Sequence, residues 1–316
     1  MDNIASIEIG TNSIRMLIAQ KTPCCSTVKP VLRKREITRL GEDFNKKEIR
    51  TLKPGPVKRS LDTLKVFFEI AGRYGVSSPV VVATGVVRRA VNSHHFINLV
   101  AETLNHKVEI ISGRKEAELT CTGVLASLKN IEDSFVIFDH GGGSTEFIWG
   151  NSKQTEYISI DIGAVTLTED YLTADPLNDS RIRRLINYID DTFQTSLEPL
   201  EKIKKNTFSL IGTGGTVVNL AGMVYRTQIG DSRQSLHGLL INKKDVEFLI
   251  KTIKIMPDIK KAGLRGLEPG REDIILAGAL VVMKIMDYFK KNEIIVSYSD
   301  ILEGVLLHHS EGENDE

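Results

Sequence analysis

Three glycine-rich turns, each placed directly after a short apolar run, constrain this chain more than any other feature. They cover residues 10–13, 141–145 and 212–216. Glycine lets a backbone approach a ligand closely and adopt positive φ. Consecutive amide N–H groups in such turns form cradles for phosphate oxygens. One such loop is a weak signal, but three, two of them preceded by a carboxylate near the strand end, predict a site that holds a phosphate chain between two domains.

The charge balance argues against a general nucleic-acid partner. The 316 residues include 41 Lys and Arg and 41 Asp and Glu, so the formal net charge is zero. A DNA-binding domain usually carries a basic excess. We therefore expect no DNA partner, and we expect any polyanion to be held by a local patch rather than by the field of the whole molecule.

The sequence also predicts a cytoplasmic protein with no membrane segment. Its beginning lacks the basic start and apolar centre of a signal peptide. The longest apolar stretch, 274–283, ends at Lys284 and is too short to span a bilayer. The three cysteines, of which Cys24 and Cys25 are adjacent, fit neither a disulfide framework nor a zinc spacing, so we interpret them as reduced thiols.

An approximate structural repeat predicts an α/β fold with two domains around a cleft. A strand–turn–strand pattern followed by alternating helices and strands occurs twice. We place the boundary near 123–130, which gives an N-terminal domain of 1–126 and a C-terminal domain of 127–299. The last helix, about 300–316, could pack back on the first domain, which the sequence alone does not decide. The opening is predicted as a β-meander over 5–10, 13–20 and 31–40. The longer helical patterns cover 54–74, 94–104, 116–128, 180–197, 216–225, 243–255 and 272–289.

Three carboxylates near the glycine turns are candidate metal ligands. Asp139 ends an apolar run and precedes three glycines, where a carboxylate beside phosphate-binding amides suits Mg²⁺; the alternative is an aspartate in an ordinary hairpin turn. Glu146, on the strand that leaves this turn, could hold metal or orient water, or be an exposed strand residue. Glu8 has the analogous position before the first turn. It could bind a metal through water, or it could be a solvated strand residue.

Glu116 and two arginines carry the remaining candidate chemistry. Glu116 lies in the first turn of a helix, where the helix dipole alone explains a negative charge; the functional alternative is a general base. Arg88 begins a helix after a strand and could bind phosphate or be a solvated helix residue. Arg15 shares a strand face with Ser13 and could reach the same anion, or lie on the surface. We assign catalysis to no histidine.

These short motifs, taken in order, resemble the exopolyphosphatase / guanosine pentaphosphate phosphohydrolase family over nearly the whole chain. The residues that carry the resemblance are 9–15, 83–90, 111–117, 139–146, 163–169, 212–221, 236–238 and 270–275. The resemblance implies two ribonuclease-H-like domains of the actin/hexokinase-like superfamily. It also implies Mg²⁺-dependent hydrolysis that removes a terminal phosphate from polyphosphate or from guanosine pentaphosphate. The short length is similar to that of family members that form homodimers.

The resemblance also assigns roles. Glu116 becomes the first choice for the general base, and Asp139, Glu146 and Glu8 become the candidate metal or water-positioning groups. The phosphate-binding candidates, from the turns and the resemblance together, are Gly10, Thr11, Asn12, Ser13, Arg15, Arg88, Gly141, Gly142, Gly143, Ser144, Thr145, Gly214 and Gly215.

The sequence departs from the family pattern at five positions. Glu8 replaces the usual aspartate, and His140 replaces an aliphatic residue. Lys115 replaces an acid next to Glu116, and we expect this cation to lower the pKa of the glutamate and weaken it as a base; the alternative is that Lys115 holds a phosphate. Thr166 and Leu302 replace arginines, which predicts a weaker grip on a long polyanion.

Two other functions stay open at the level of sequence. The departures favour a sensor that binds polyphosphate or a guanosine alarmone without hydrolysing it. The fold and loop pattern are also shared by actin-like ATPases and kinases. The sequence does not choose between polyphosphate and guanosine pentaphosphate.

Overall fold

The computed structural model describes residues 2–22, 27–44, 50–173, 179–227 and 231–312. The fold is α/β, as predicted. The chain forms two compact units, Met1–Ser127 together with Ser299–Glu316, and Leu128–Tyr298. Cys24 and Cys25 lie outside the described residues, as do residues 313–316 of the polar tail. Cys121 is buried, and burial raises the pKa of its thiol to about 11, which makes it an unreactive core residue.

The first unit is built on a five-stranded mixed sheet. The chain runs through β1 (Asn3–Ile9), β2 (Ser13–Lys21), β3 (Val28–Ile37), α1 (Pro54–Arg73), β4 (Val80–Ala83), α2 (Gly85–Arg89), α3 (Ser93–Leu104), β5 (Glu109–Ile110) and α4 (Gly113–Ser127). The strand order is β3-β2-β1-β4-β5. Strands β1 to β3 pair antiparallel, whereas β4 and β5 join β1 in parallel. Ile7, Ile9 and Phe67 are buried in the core of this unit.

The second unit contains a six-stranded sheet. Its elements are β6 (Phe135–His140), β7 (Thr145–Gly150), β8 (Thr155–Ile160), α5 (Ala164–Leu167), a π-helical turn (Thr168–Leu172), α6 (Asp179–Ser196), a 3-10 helix (Glu198–Lys205), β9 (Ser209–Thr213), α7 (Gly214–Val224), a 3-10 helix (Asp231–Leu236), β10 (Leu240–Asn242), α8 (Lys243–Lys254), α9 (Asp258–Lys261), α10 (Ile275–Tyr288) and β11 (Glu293–Val296). The order is β10-β11-β9-β6-β7-β8. Phe138, Phe147 and Phe193 anchor the core.

The two sheets share one topology. In each, three antiparallel strands are followed by two strands parallel to the first: β4 and β5 beside β1, and β9 and β11 beside β6. Both sheets therefore have the third-second-first-fourth-fifth order of a ribonuclease-H-like unit, and β10 is an additional edge strand in the second. The repeat predicted from the sequence is confirmed at the level of topology.

The last helix, α11 (Ile301–Gly312), packs on the first unit. Leu302 and Leu306 are buried against Leu17 and Ala19 of β2. A Cβ at Gly304 would overlap the carbonyl of Leu119, so α4 and α11 approach closely where one helix has no side chain. The last helix therefore packs back on the first unit, which the sequence alone could not decide.

Most predicted elements are present with ends shifted by a few residues. The short strand β10, α5 and the π-helical turn were not predicted. Within the described ranges, no helix combines the length and the apolar character needed to cross a membrane.

Candidate active site

Glu116 lies in the first turn of α4, where the chain leaves the short strand β5. Its Oε2 accepts a hydrogen bond of 2.7 Å from Nη1 of Arg88, which also donates to the carbonyl of Ile111 at 3.1 Å. Burial raises the pKa of Glu116 and nearby Glu8 raises it further, while Arg88 and Arg15 oppose the shift. Glu116 is therefore a largely desolvated carboxylate that is hydrogen-bonded to one guanidinium, that of Arg88.

Glu8, at the end of β1, is bonded through both carboxylate oxygens. Arg15 donates to Oε2 at 2.6 Å, and Thr84 donates to Oε1 at 3.0 Å. Only 7% of Glu8 is exposed. The charge of Glu8 is therefore balanced by a cation of the protein itself. Its role as a metal ligand stays a prediction, and the contacts favour an indirect one.

The first glycine turn closes on itself between β1 and β2. The amide of Gly10 donates to the carbonyl of Ser13, and Gly41 donates to the carbonyl of Thr11. Asn12 is buried, and its Nδ2 has no hydrogen-bond partner among the described residues. An unsatisfied buried donor in a turn of this kind fits an anion that completes its hydrogen bonding.

The second glycine turn joins β6 to β7. Its carbonyls at Gly141 and Gly142 accept hydrogen bonds from the amides that open α5. The amides of Gly142 and Gly143 donate to no acceptor in the described part of the chain. Because the carbonyls are turned toward α5, these two donors are available to a ligand, as the phosphate-binding prediction requires.

Asp139 and Glu146 are direct cross-strand partners on β6 and β7, so they share a face of the sheet. Oε1 of Glu146 accepts hydrogen bonds from Ser144 at 2.7 Å and Ser159 at 2.8 Å. Asp139 lies against the third glycine turn, since a Cβ at Gly214 would come within 2.3 Å of its Oδ1. The second and third turns and both carboxylates therefore meet within the second unit.

The third turn is supported by a polar cluster that the sequence did not predict. Asn219 donates to the carbonyl of Gly215 at 2.7 Å and to Glu268 at 2.8 Å. A Cβ at Gly215 would overlap the guanidinium of Arg271. Because Gly215 has no side chain, Arg271 can pack directly on the backbone of the third turn. The pair Arg271–Glu272 lies in a motif that carries the family resemblance, which was the available signal for this contact.

His140 is a neutral residue of the core. Its Nδ1 is 2.8 Å from the hydroxyl of Thr145, which donates to the carbonyl of Ile162 at 2.5 Å. Burial, with a contribution from Arg271, lowers the pKa of His140 to about 3. At neutral pH the imidazole of His140 is therefore uncharged and enclosed in the core.

The expected effect of Lys115 is wrong. Its Nζ lies 2.8 Å from Nε2 of His308, and the pKa of Glu116 is raised rather than lowered. Consecutive helical residues point about 100° apart and do not face each other. The cation that acts on Glu116 is Arg88, which reaches it from another helix.

The other departures from the family pattern have structural explanations. Leu302 is fully buried among apolar side chains on β2 and α11. Thr166 hydrogen-bonds through its hydroxyl to the backbone of Gly163, at the start of α5. Neither position has a cation. That the loss of these two arginines weakens the binding of a long polyanion stays a prediction.

The donor set around Asp139 fits Mg²⁺. Asp139 and Glu146 offer hard carboxylate oxygens, and the space beside Asp139 is one that a Cβ at position 214 would fill. The described residues contain no group of three or more His, Cys, Asp or Glu side chains that could hold a metal. Mg²⁺ does not need such a cage, because it commonly binds through one or two carboxylates together with substrate phosphates and water.

Arg33 and Asp300 are further residues near the first turn that sequence reasoning missed. Arg15, predicted to reach phosphate, instead donates to both Glu8 and Asp300, and Arg33 joins Asp300 to Glu303. Asp300 is 285 positions from Arg15 in the chain. Because no local pattern connects them, the sequence offered no signal for this pairing.

Together these features define a class of protein: an α/β protein with two ribonuclease-H-like units, glycine turns suited to phosphate, and a buried carboxylate held by arginine. The comparisons with known proteins agree. The chain matches the Ppx/GppA phosphatase family over residues 17–312 and belongs to that family, as the resemblance predicted.

Curated relatives cover the chain almost completely. It is 36% identical over 311 residues to a bifunctional 3-dehydroquinate synthase/phosphatase of Fusobacterium nucleatum; the match covers 96% of this chain and 46% of that protein, so the chain spans about half of it. It is 28% identical to exopolyphosphatase 2 of Mycobacterium tuberculosis, with 97% and 98% of the two chains covered.

Solved structures give the same result. The Ppx/GppA family member of Aquifex aeolicus is 30% identical, with a TM-score of 0.79 and 99% of each chain covered. An exopolyphosphatase of Cytophaga hutchinsonii is 28% identical, with a TM-score of 0.86 and 98% of each chain covered. The chain is thus a phosphatase-family protein similar to exopolyphosphatases.

Proposed function

We propose that the protein is a phosphoanhydride hydrolase that removes the terminal phosphate of polyphosphate, of guanosine pentaphosphate, or of both. The single observation that carries this proposal is the largely buried Glu116 carboxylate, whose pKa is raised and whose only charged contact at hydrogen-bond distance in the described structure is Arg88. A carboxylate tuned upward is suited to take a proton from water near neutral pH. The relatives named as exopolyphosphatases support the substrate class.

Arg88 gives the base a means of responding to substrate. In the structure its guanidinium is bonded to Glu116 and to a backbone carbonyl. A terminal phosphate offers arginine a stronger, bidentate acceptor. When Arg88 turns to the phosphate, Glu116 loses the contact that lowers its pKa, and its basicity rises as the substrate arrives.

The remaining roles follow from the glycine turns. Asn12 Nδ2 and the amides of Gly142 and Gly143 would donate to phosphate oxygens. Asp139 would hold Mg²⁺ with Glu146 beside it. The metal would supply charge neutralisation of the phosphates. Glu116 would then take the proton of the water that attacks the terminal phosphorus.

Phosphate release tests this proposal. Long-chain polyphosphate, guanosine pentaphosphate and ATP are each offered with Mg²⁺ to the wild type, to Glu116→Gln and to Glu118→Gln. Glu118 is a matched control because it is an exposed residue of the same helix. We expect Glu116→Gln to lose about 10²–10⁴-fold in kcat and Glu118→Gln to keep the wild-type rate.

The result also separates the alternatives. Release that is unaffected by Glu116→Gln contradicts the mechanism. Binding of the phosphate compounds without release by the wild type indicates a sensor. Phosphate transfer from ATP to an added acceptor indicates a kinase.

A further inference from the structure

A chain of buried carboxylates and partly buried arginines connects the last helix to the candidate base. Arg15 on β2 donates to Glu8 at 2.6 Å and also to Asp300, which precedes α11. Arg33 on β3 lies 3.6 Å from the same oxygen of Asp300. Arg33 also pairs with Glu303 of α11. Three carboxylates and two guanidinium groups thus form one continuous array within the first unit.

Asp300 and Glu303 both accept hydrogen bonds from backbone amides at the start of α11. Oδ1 of Asp300 accepts from the amide of Leu302 at 3.0 Å, and Glu303 accepts from the amide of Asp300 at 3.0 Å. This reciprocal arrangement resembles a capping box, except that the side chain of Asp300 accepts from the second helical amide rather than the third. The side chain of Asp300 is 5% exposed. Its two oxygens therefore serve two purposes, since Oδ1 caps the helix and Oδ2 binds arginine.

The contacts continue from Glu8 toward Arg88, which is hydrogen-bonded to the candidate base Glu116. The other oxygen of Glu8 accepts from the hydroxyl of Thr84, which occupies the N-cap position of α2 without a side-chain capping bond to the helix. Arg88 extends from α2 to Glu116. The order of contacts is Asp300, Arg15, Glu8, Thr84 and then α2 with Arg88.

We propose that Asp300 is a positioning residue for the hydrolysis. It fixes Arg15 on Glu8, and Glu8 in turn fixes the start of α2, from which Arg88 orients Glu116. This inference rests on the proposed function. It concerns a residue that touches neither Glu116 nor any predicted phosphate-binding turn in the described structure.

Asp300→Asn removes the charge that connects α11 to Arg15 and changes few other contacts. The amide oxygen of asparagine can still cap α11, but the charge that holds Arg15 is removed. A displacement of about 1 Å in a catalytic group costs about 10²-fold in rate. We therefore expect kcat to fall about 10- to 100-fold, with KM changed less than about 3-fold, because the substrate-binding turns are untouched.

Arg33→Gln is the matched control. It removes the other cation bound to Asp300 and weakens the attachment of α11, but it leaves Asp300, Arg15 and Glu8 connected. We expect it to lower the melting temperature and to keep the wild-type kcat. Asp300→Glu, which restores the charge, should recover at least part of the rate lost in Asp300→Asn.

The Nε–Hε resonance of Arg15 provides a readout that does not depend on activity. Its hydrogen bond to Glu8 should protect this proton from exchange with water in the wild type and in Arg33→Gln, and the protection should be lost in Asp300→Asn. Arg15→Lys assigns the signal.

Each outcome bears on the proposal. Loss of kcat and of Arg15 protection in Asp300→Asn alone supports it. Wild-type kcat in Asp300→Asn, while Glu116→Gln is inactive, overturns it, as do equal rate losses in Asp300→Asn and Arg33→Gln. If the wild type releases no phosphate, the proposed function fails and the role in hydrolysis fails with it. The resonance then tests only the structural step: lost protection in Asp300→Asn supports the view that Asp300 holds Arg15 on Glu8, and retained protection overturns it.

Discussion

Gly214 offers a direct test of how closely the third turn approaches Asp139. Gly214 has φ of +86°, and a Cβ built there would lie 2.3 Å from Asp139 Oδ1 and 3.1 Å from the carbonyl oxygen of His140. Ordinary contact for a Cβ begins near 3.4 Å. In Gly214→Ala the carboxylate must therefore retreat by about 1 Å, which in a catalytic site costs about 10²-fold in rate.

Gly238→Ala is the control for backbone strain. Gly238 has φ of +80°, but a Cβ there would meet nothing within 4 Å. Both substitutions force alanine into the left-handed region, at a cost of about 1–2 kcal/mol. We expect Gly238→Ala to lose that stability and keep its activity.

Phosphate release and urea unfolding are measured side by side for the two variants. Gly214→Ala should lose about 10²-fold in kcat and need a higher Mg²⁺ concentration for half-maximal rate. Equal kcat values in the two variants would refute the view that Asp139 is held beside the third turn for catalysis.

Three further predictions concern titratable groups. The pKa of His140 in the folded protein is about 3, below the ordinary value of 6.5. Between these pH values the unfolded chain binds more protons than the folded protein, so the free energy of unfolding falls as pH decreases, by about 2 kcal/mol at pH 5. Urea unfolding of His140→Gln at pH 7 and pH 5 should show this loss abolished. Because the pKa of Glu116 is raised, the acidic limb of kcat/KM should lie above the ordinary glutamate value of 4.5, and Arg88→Gln should move it to still higher pH; a limb that moves to lower pH would contradict the assignment. Lys115→Met should leave that limb in place, because Lys115 contacts His308 rather than Glu116, whereas a limb that rises would restore the expectation from sequence.

Local patterns predicted the architecture because they act over short distances. The β-meander, the long amphipathic helices and the three glycine turns each depend on neighbouring residues, and all are present. The segments that were missed are three to eight residues long, from β10 and α5 to the 3-10 helix Glu198–Lys205. Elements this short carry too little periodicity to be detected.

The candidate site was predicted less completely, because its electrostatics depend on contacts between distant parts of the chain. Glu116 was singled out, but its partner Arg88 was predicted only as a phosphate ligand. Lys115 was chosen as the perturbing cation because it is adjacent in sequence, although helical geometry turns it away. Asp300 and Arg33 could not be connected to Arg15 by any spacing rule.

The measurement that tests the central claim most directly is hydrolysis of guanosine pentaphosphate in water enriched in ¹⁸O, followed by mass analysis of both products. Attack by a Glu116-activated water on the terminal phosphorus predicts one ¹⁸O atom in the released phosphate and none in the nucleotide, with about 10²–10⁴-fold less labelled phosphate formed by Glu116→Gln in the same reaction time. Label in the nucleotide product, or an equal amount of labelled phosphate from Glu116→Gln, would contradict the mechanism.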